Sequence, residues 1–201
     1  MLSPAVADTV VAVCWSTIAL DTLRHVRRER AARAALGPVL RGGWRPRWPV
    51  VLGFLAATLA GAATLERLAG RLPFHDGAAL LGLALVAGGL ILNVRARRAL
   101  GPHWTGTVEV RARHALIMRG PYARVRHPIY LSGLLLASGS FLAHPSAATA
   151  CLAGGLTIGL LVKTWIEERT LRDALGSEYV RYAARVPALL PRLGVSQKLT
   201  P

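Results

Sequence analysis

The chain alternates between long apolar runs and short basic blocks. Five runs have the length or pairing to span a membrane: Pro4–Leu23, Pro49–Leu68, Gly77–Val94, Pro128–Ala143 and Ser146–Ile166. A spanning helix needs about 20 apolar residues, within a range of about 17–25. The fourth run is short, but the fifth follows it after only His144-Pro145, so the two predict a tight helical hairpin. Glycines recur along the runs, among them Gly53, Gly61, Gly82, Gly88, Gly89, Gly133, Gly139 and Gly159. Small residues let helix backbones approach closely where lipid supplies no hydrophobic drive for association. The pattern predicts an all-α polytopic membrane protein of about five transmembrane helices, with a C-terminal region outside the bilayer.

Charge sets the orientation. The 201 residues carry a formal net charge of +15 and are 53% hydrophobic. Of the 25 basic residues, all but Arg67 and Arg71 fall between the first two runs, after the third, or from the end of the fifth onward. These connections lie on one side, which the positive-inside rule makes cytoplasmic. The N-terminus is then expected outside and the C-terminus inside a cell (inner) membrane. The first run has no basic stretch before it, so it reads as a retained helix rather than a signal peptide. Topology and anionic headgroups account for the basic blocks, so nucleic acid is not expected as a partner. Cys14 and Cys151 sit inside apolar runs and suggest neither a disulfide framework nor a zinc site.

The sequence divides into residues 1–94, three expected spans, and 95–201, where the chemistry-bearing residues gather. The first basic loop, Arg24–Arg47, reads as an amphipathic stretch with Trp44 and Trp48 at headgroup level. The second, Arg95–His127, is richer: Leu100-Gly101-Pro102-His103-Trp104, a strand-like Val108-Glu109-Val110, His114, Gly120-Pro121-Tyr122 and Arg126-His127-Pro128. Long loops in compact domains are functional or disordered, and the aromatics here argue against disorder. The fifth helix should continue through Glu167 and Glu168 to Leu175 and stop at Gly176. A further short helix should then place Tyr179, Tyr182 and Val186 on one face.

Several of these residues also have purely structural readings. His127-Pro128 can mark a helix start, and Tyr130 can sit in an interfacial belt. Lys163 can snorkel to headgroups, and Glu167 and Glu168 can pair with Lys163 and Arg172 four residues away. No histidine and carboxylate set has metal-ligand spacing, and there is no dinucleotide loop or nucleophile elbow.

Gly120-Pro-Tyr-Ala-Arg-Val-Arg126-His-Pro-Ile-Tyr130 is followed by the hairpin, Glu167-Glu168, and Gly176-Ser-Glu-Tyr-Val-Arg-Tyr-Ala-Ala-Arg-Val-Pro187. This order and spacing resemble the isoprenylcysteine carboxyl methyltransferase family over roughly Arg95–Leu193. The resemblance implies methyl transfer from S-adenosylmethionine. By position it implies cofactor contacts at His114, Ala115, Leu116, Ile117, Tyr122, His127, Pro128, Ile129, Tyr130 and Glu167. The family's substrate-binding arginine falls on Lys163, which exchanges a bidentate fork for a point charge. A family glutamine near Thr107 is absent. Lys163 and Glu167 are the expected catalytic pair, with Lys163 meeting the substrate; no metal is implied.

Lys163 and Glu167, spaced i, i+4, share a helix face, so one can meet an anionic acceptor while the other meets the cofactor's polar groups. A carboxylate acceptor is already ionised at neutral pH and needs no general base. With the resemblance, this makes the expected acceptor a lipophilic one, the carboxylate of an isoprenylated cysteine or a similar isoprenoid acid, entering from the bilayer among membrane lipids. A phospholipid amine and a small thiol are alternatives. A membrane NADPH-dependent reductase of related architecture and a non-enzymatic transporter or assembly factor are the rival classes.

Overall fold

The computed structural model describes residues 3–35, 39–42, 64, 75–103, 109–111 and 116–191. Among them are five α-helices: α1 (Pro4–Ala35), α2 (Asp76–Leu100), α3 (Pro128–Ala143), α4 (Ala147–Leu175) and α5 (Ser177–Arg185). Three are long and apolar enough to cross a membrane: the Pro4–Arg24 part of α1, α2 and α4. The expected second span, 49–68, and Trp44 and Trp48 lie outside the described residues.

The four runs that fall among the described residues become helices close to where their pattern places them, and α4 runs on to Leu175 as expected, but α1 and α2 extend further, α2 to Leu100 rather than Val94. α1 runs on to Ala35, well beyond the expected end at Leu23. α4 has 29 residues, about 43 Å at 1.5 Å each, against a hydrocarbon core of about 30 Å. It starts from a capping box, Ser146 accepting from the Thr149 amide. A helix entering the core near Ser146 leaves it after about 20 residues, near Glu167. α3, with 16 residues, is only about 24 Å long. Pro128 at its first turn lacks only an amide that would be orphaned there anyway.

α2 buries Ala79, Gly82, Val86, Gly89, Asn93, Ala96 and Arg97, a stripe at helical spacing. It packs antiparallel on α3 at near-backbone contact. A Cβ on Gly82 would lie 2.6 Å from the Gly139 carbonyl oxygen, and one on Gly89 would lie 3.0 Å from the Ser132 carbonyl oxygen. α1 packs on this pair, with Cys14 against Val86 and Leu136. It is tied to α3 by Trp15 Nε1 donating to Ser140 Oγ at 3.0 Å and by Asp8 against His144 at 2.7 Å.

The close approach predicts unequal tolerance between glycines inside the α2–α3 contact and those outside it. Gly139→Leu should force α2 and α3 apart and cost about 3 kcal/mol or more. Gly88→Leu, where nothing lies within 4 Å of an added Cβ, should be nearly neutral. Thermal unfolding of both variants in detergent checks this.

Polar groups join the helices at their basic end. Arg97 Nε donates to Asn93 Oδ1 at 2.7 Å, and Asn93 Nδ2 donates to Ser132 Oγ at 2.7 Å. Arg97 Nη2 donates to Thr22 Oγ1 at 2.8 Å, and Asp21 lies 3.6 Å from Nε. This buried set links α1, α2 and α3 just below the loops. The loops themselves meet in a small antiparallel sheet of β1 (Val39–Gly42) and β2 (Glu109–Arg111), the one departure from an all-helical description among the described residues.

Candidate active site

Glycine sets where α4 ends. Gly176 stands at φ +55, a conformation that L side chains rarely adopt, and its amide closes the last turn on the Arg172 carbonyl. The chain turns there and α5 folds back. Its Tyr179, Tyr182 and Val186 form one buried face, as their spacing predicts, with Leu116, Leu171 and Leu175 packed against it. Tyr179 and Tyr182 meet edge to face with centroids 6.0 Å apart. The Tyr182 hydroxyl donates to the Tyr122 carbonyl at 2.7 Å, tying α5 to the 3-10 turn Gly120–Ala123.

The 126–127 segment is clasped by the chain that leaves α5. The Arg126 amide donates to the Pro187 carbonyl at 2.9 Å, and the His127 amide donates to the Ala188 carbonyl at 3.0 Å. The Arg126 guanidinium grips Glu168 with both arms, Nε to Oε1 at 2.7 Å and Nη2 to Oε2 at 2.9 Å. Its remaining arm donates to the Ala183 and Val186 carbonyls at the C-terminal end of α5. These are carbonyls that a helix end leaves without intrahelical partners. Glu168 Oε1 also accepts from the Tyr179 hydroxyl and faces His127 Nε2, both at 2.7 Å.

His127 is buried between two carboxylates. Its Nε2 meets Glu168, and its Nδ1 lies 3.6 Å from Glu167 Oε2. Burial opposes the imidazolium charge, but the contacts with Glu167 and Glu168 outweigh it and raise the pKa above the ordinary histidine value. Burial likewise opposes the charge on Arg126, and the fork to Glu168 more than restores it. Burial, reinforced by nearby carboxylates, raises the phenols of Tyr122, Tyr179 and Tyr182, so they stay protonated as donors.

Glu167 faces the other way. It accepts from the Tyr130 hydroxyl, and its side chain is 28% exposed against 13% for Glu168. The His127 and Tyr130 rings lie parallel, 3° apart in plane with centroids separated by 5.4 Å. Lys163 Nζ sits 5.3 Å from the centre of the Tyr130 ring. One ammonium, one carboxylate and a pair of flat rings thus share a single corner, where α3 begins and α4 leaves its apolar stretch.

The structure therefore brings Lys163, Glu167, Tyr130 and His127 together. Pro128 is buried at the start of α3, and the Ile129 carbonyl accepts from Ser132 Oγ at 2.6 Å. Tyr122 is buried beneath α5. Leu116 and Ile117 are half-buried, and Leu116 packs on the α5 face. His114 and Ala115 lie outside the described residues. Sequence reasoning missed the parts played by Arg126, Glu168 and Tyr179. In sequence Arg126 stands inside the Gly120–Tyr130 motif but carries no role of its own there. Its place beside His127-Pro128 was the available signal.

The chain is 31% identical to the cobalt-zinc-cadmium resistance protein CzcN of Cupriavidus metallidurans over 150 residues, 74% of this chain and 63% of that one. It is 30% identical to protein-S-isoprenylcysteine O-methyltransferase B of Arabidopsis thaliana over 122 residues, 55% of this chain and 57% of that one. The chain thus spans about three fifths of the length of these relatives. The family model for phospholipid methyltransferases matches residues 78–178, which run from the start of α2 through the 126–130 segment and both glutamates into α5. With half its length matched, and with the helices that build this corner inside the match, the chain belongs to the phospholipid methyltransferase family of membrane enzymes.

Proposed function

We propose that this protein is an integral-membrane methyltransferase that uses S-adenosylmethionine and methylates a lipophilic acceptor, the carboxylate of an isoprenylated cysteine or a similar isoprenoid acid. The observation that carries this reading is the pairing of Lys163 and Glu167 on one face of α4, against Tyr130, where the helix leaves its apolar stretch. Members of the family use S-adenosylmethionine as methyl donor.

The residues present suit that donor. The more open carboxylate, Glu167, can accept from an ammonium or ribose hydroxyls. The Tyr130 ring, with the His127 ring parallel to it, suits a flat base. Leu116 and Ile117 offer half-buried apolar surface, and Pro128, Ile129 and Tyr122 frame the turn that carries these rings. His114 and Ala115 join the set by the resemblance alone. The bound cofactor supplies an electrophilic methyl carbon on sulfur.

What the protein must add is orientation and exclusion of water. Lys163 holds the acceptor's carboxylate as a point charge and leaves it ionised, so no proton has to be removed before attack. Glu167, fixed by Tyr130 and flanked by His127, keeps the donor side of the corner anionic. An acceptor with its hydrocarbon part in the bilayer reaches Lys163 along the helices. In this reading the basic end of the bundle faces the cytoplasm, where the donor is available.

A transfer assay with purified protein and labelled donor tests the acceptor class. The panel holds prenylcysteine analogues, isoprenoid acids, lipid amines and thiols. Label should appear as a base-labile methyl ester on the prenylated acids. Base-stable label on a lipid amine or thiol instead would overturn the carboxylate assignment while leaving a methyltransferase.

A further inference from the structure

Glu167 and Glu168 are neighbours in sequence, yet their surroundings differ in kind. On a helix of 3.6 residues per turn, adjacent side chains point about 100° apart. Glu167 turns toward Lys163 and Tyr130. Glu168 turns into the junction of three segments and is the hub of it. It accepts both arms of Arg126, faces His127 Nε2 and accepts the Tyr179 hydroxyl. Three of these four contacts converge on the single oxygen Oε1, each at 2.7 Å. A carboxylate so engaged has little capacity left for a ligand.

We propose that Glu168 is a positioning residue: it fixes His127 as a doubly protonated ring whose Nδ1 faces Glu167, and so sets the orientation of the carboxylate that works at the site. The claim about catalysis rests on the reading above that Glu167 serves donor binding; the claim about His127 does not. The groups facing His127 are Glu167 and Glu168 from α4 and Tyr130 from α3. Arg126, Tyr179 and Arg172, whose Nη2 lies 3.6 Å from Oε2, act on it through Glu168, and Lys163 acts through Glu167. With Glu168 in place, the ring presents N–H from both nitrogens. Without it, the ring can lose its Nε2 partner and its charge, and nothing then orders Nδ1–H toward Glu167.

The two ways of disturbing this hub have opposite signs. Glu168→Gln removes the negative charge behind His127, so the ring should hold its proton less tightly, by about one pH unit or more. Tyr179→Phe leaves the carboxylate and takes away a donor that competes for Oε1. The remaining negative charge then falls more on His127, which should hold its proton more tightly. General loosening of the junction would move both variants the same way.

The experiment is a titration of histidine-labelled full-length protein in nanodiscs by carbon-13 NMR, with His127 assigned through its own substitution. It is paired with calorimetric binding of S-adenosylmethionine at pH 6 and pH 8. Expected are opposite displacements of the His127 titration in the two variants. Donor binding by Glu168→Gln should weaken about tenfold at pH 8 and less at pH 6, where the ring holds its proton more fully. Displacements of the same sign, or a His127 titration that moves in neither variant, would overturn the proposal. Should Glu168→Gln not fold, Tyr179→Phe alone decides by the sign of its displacement. Failure of the wild type to bind the donor at either pH would count against the functional reading, while the two titrations still judge the role of Glu168.

Discussion

Glu167→Gln is expected to lower kcat/KM for methyl transfer about a hundredfold while leaving the protein folded. Glutamine matches glutamate in size, so the packing of α4 survives. What changes is charge and the direction of donation. Glu167 now offers only acceptors, to the Tyr130 hydroxyl and toward His127 Nδ1. An amide in its place turns an NH2 toward one of those donors or toward the ligand. A hydrogen bond to a charged group contributes about 1.5–3 kcal/mol, and each 1.4 kcal/mol is a factor of ten in rate. Steady-state kinetics beside a thermal unfolding curve checks both halves of the expectation. Retained activity would remove Glu167 from the site.

The second large effect is on stability. Arg126→Ala should cost about 3–5 kcal/mol, because it breaks a buried ion pair and leaves Glu168 without its main partner. The guanidinium is 10% exposed and its carboxylate partner 13%. The substitution also uncaps the Ala183 and Val186 carbonyls, so the clasp between α5 and the start of α3 loses its centre. Arg126→Lys should not rescue it, since an ammonium cannot form the fork and cap α5 at once. Tyr182→Phe, which loses one bond to the Tyr122 carbonyl, should cost only about 1 kcal/mol. Thermal unfolding in detergent ranks the three, and a lysine variant as stable as the wild type would contradict this account of the clasp.

Much of the architecture was legible because lipid imposes a simple grammar. Apolar runs became helices, Gly176 stopped α4, and the spacing of Tyr179, Tyr182 and Val186 gave the buried face of α5. Lengths were less legible. α1 continues past its apolar stretch, since nothing at Leu23 breaks a helix and the arginine-rich residues after it have good helical propensity.

The candidate site was half legible. Lys163 and Glu167 share a face by spacing alone, and the structure adds Tyr130 beside them. The division of labour between Glu167 and Glu168 could not be read. Both project from the same turn, and only the position of Arg126 and α5 decides which is engaged from behind. Arginine was the residue type most easily misjudged. Counted along the sequence, Arg97 and Arg126 are two more charges on the basic side. In the fold Arg97 is buried against Asn93 and Thr22, and Arg126 organises the site's rear wall. Burial is a property of the assembled bundle, and a charge count cannot register it.

The decisive measurement is titration calorimetry of S-adenosylmethionine into purified protein in nanodiscs. Saturable binding to the wild type is expected, weakened at least tenfold by Glu167→Gln and little changed by Gly88→Leu. No binding to the folded wild type, or equal binding by wild type and Glu167→Gln, would contradict the proposed function.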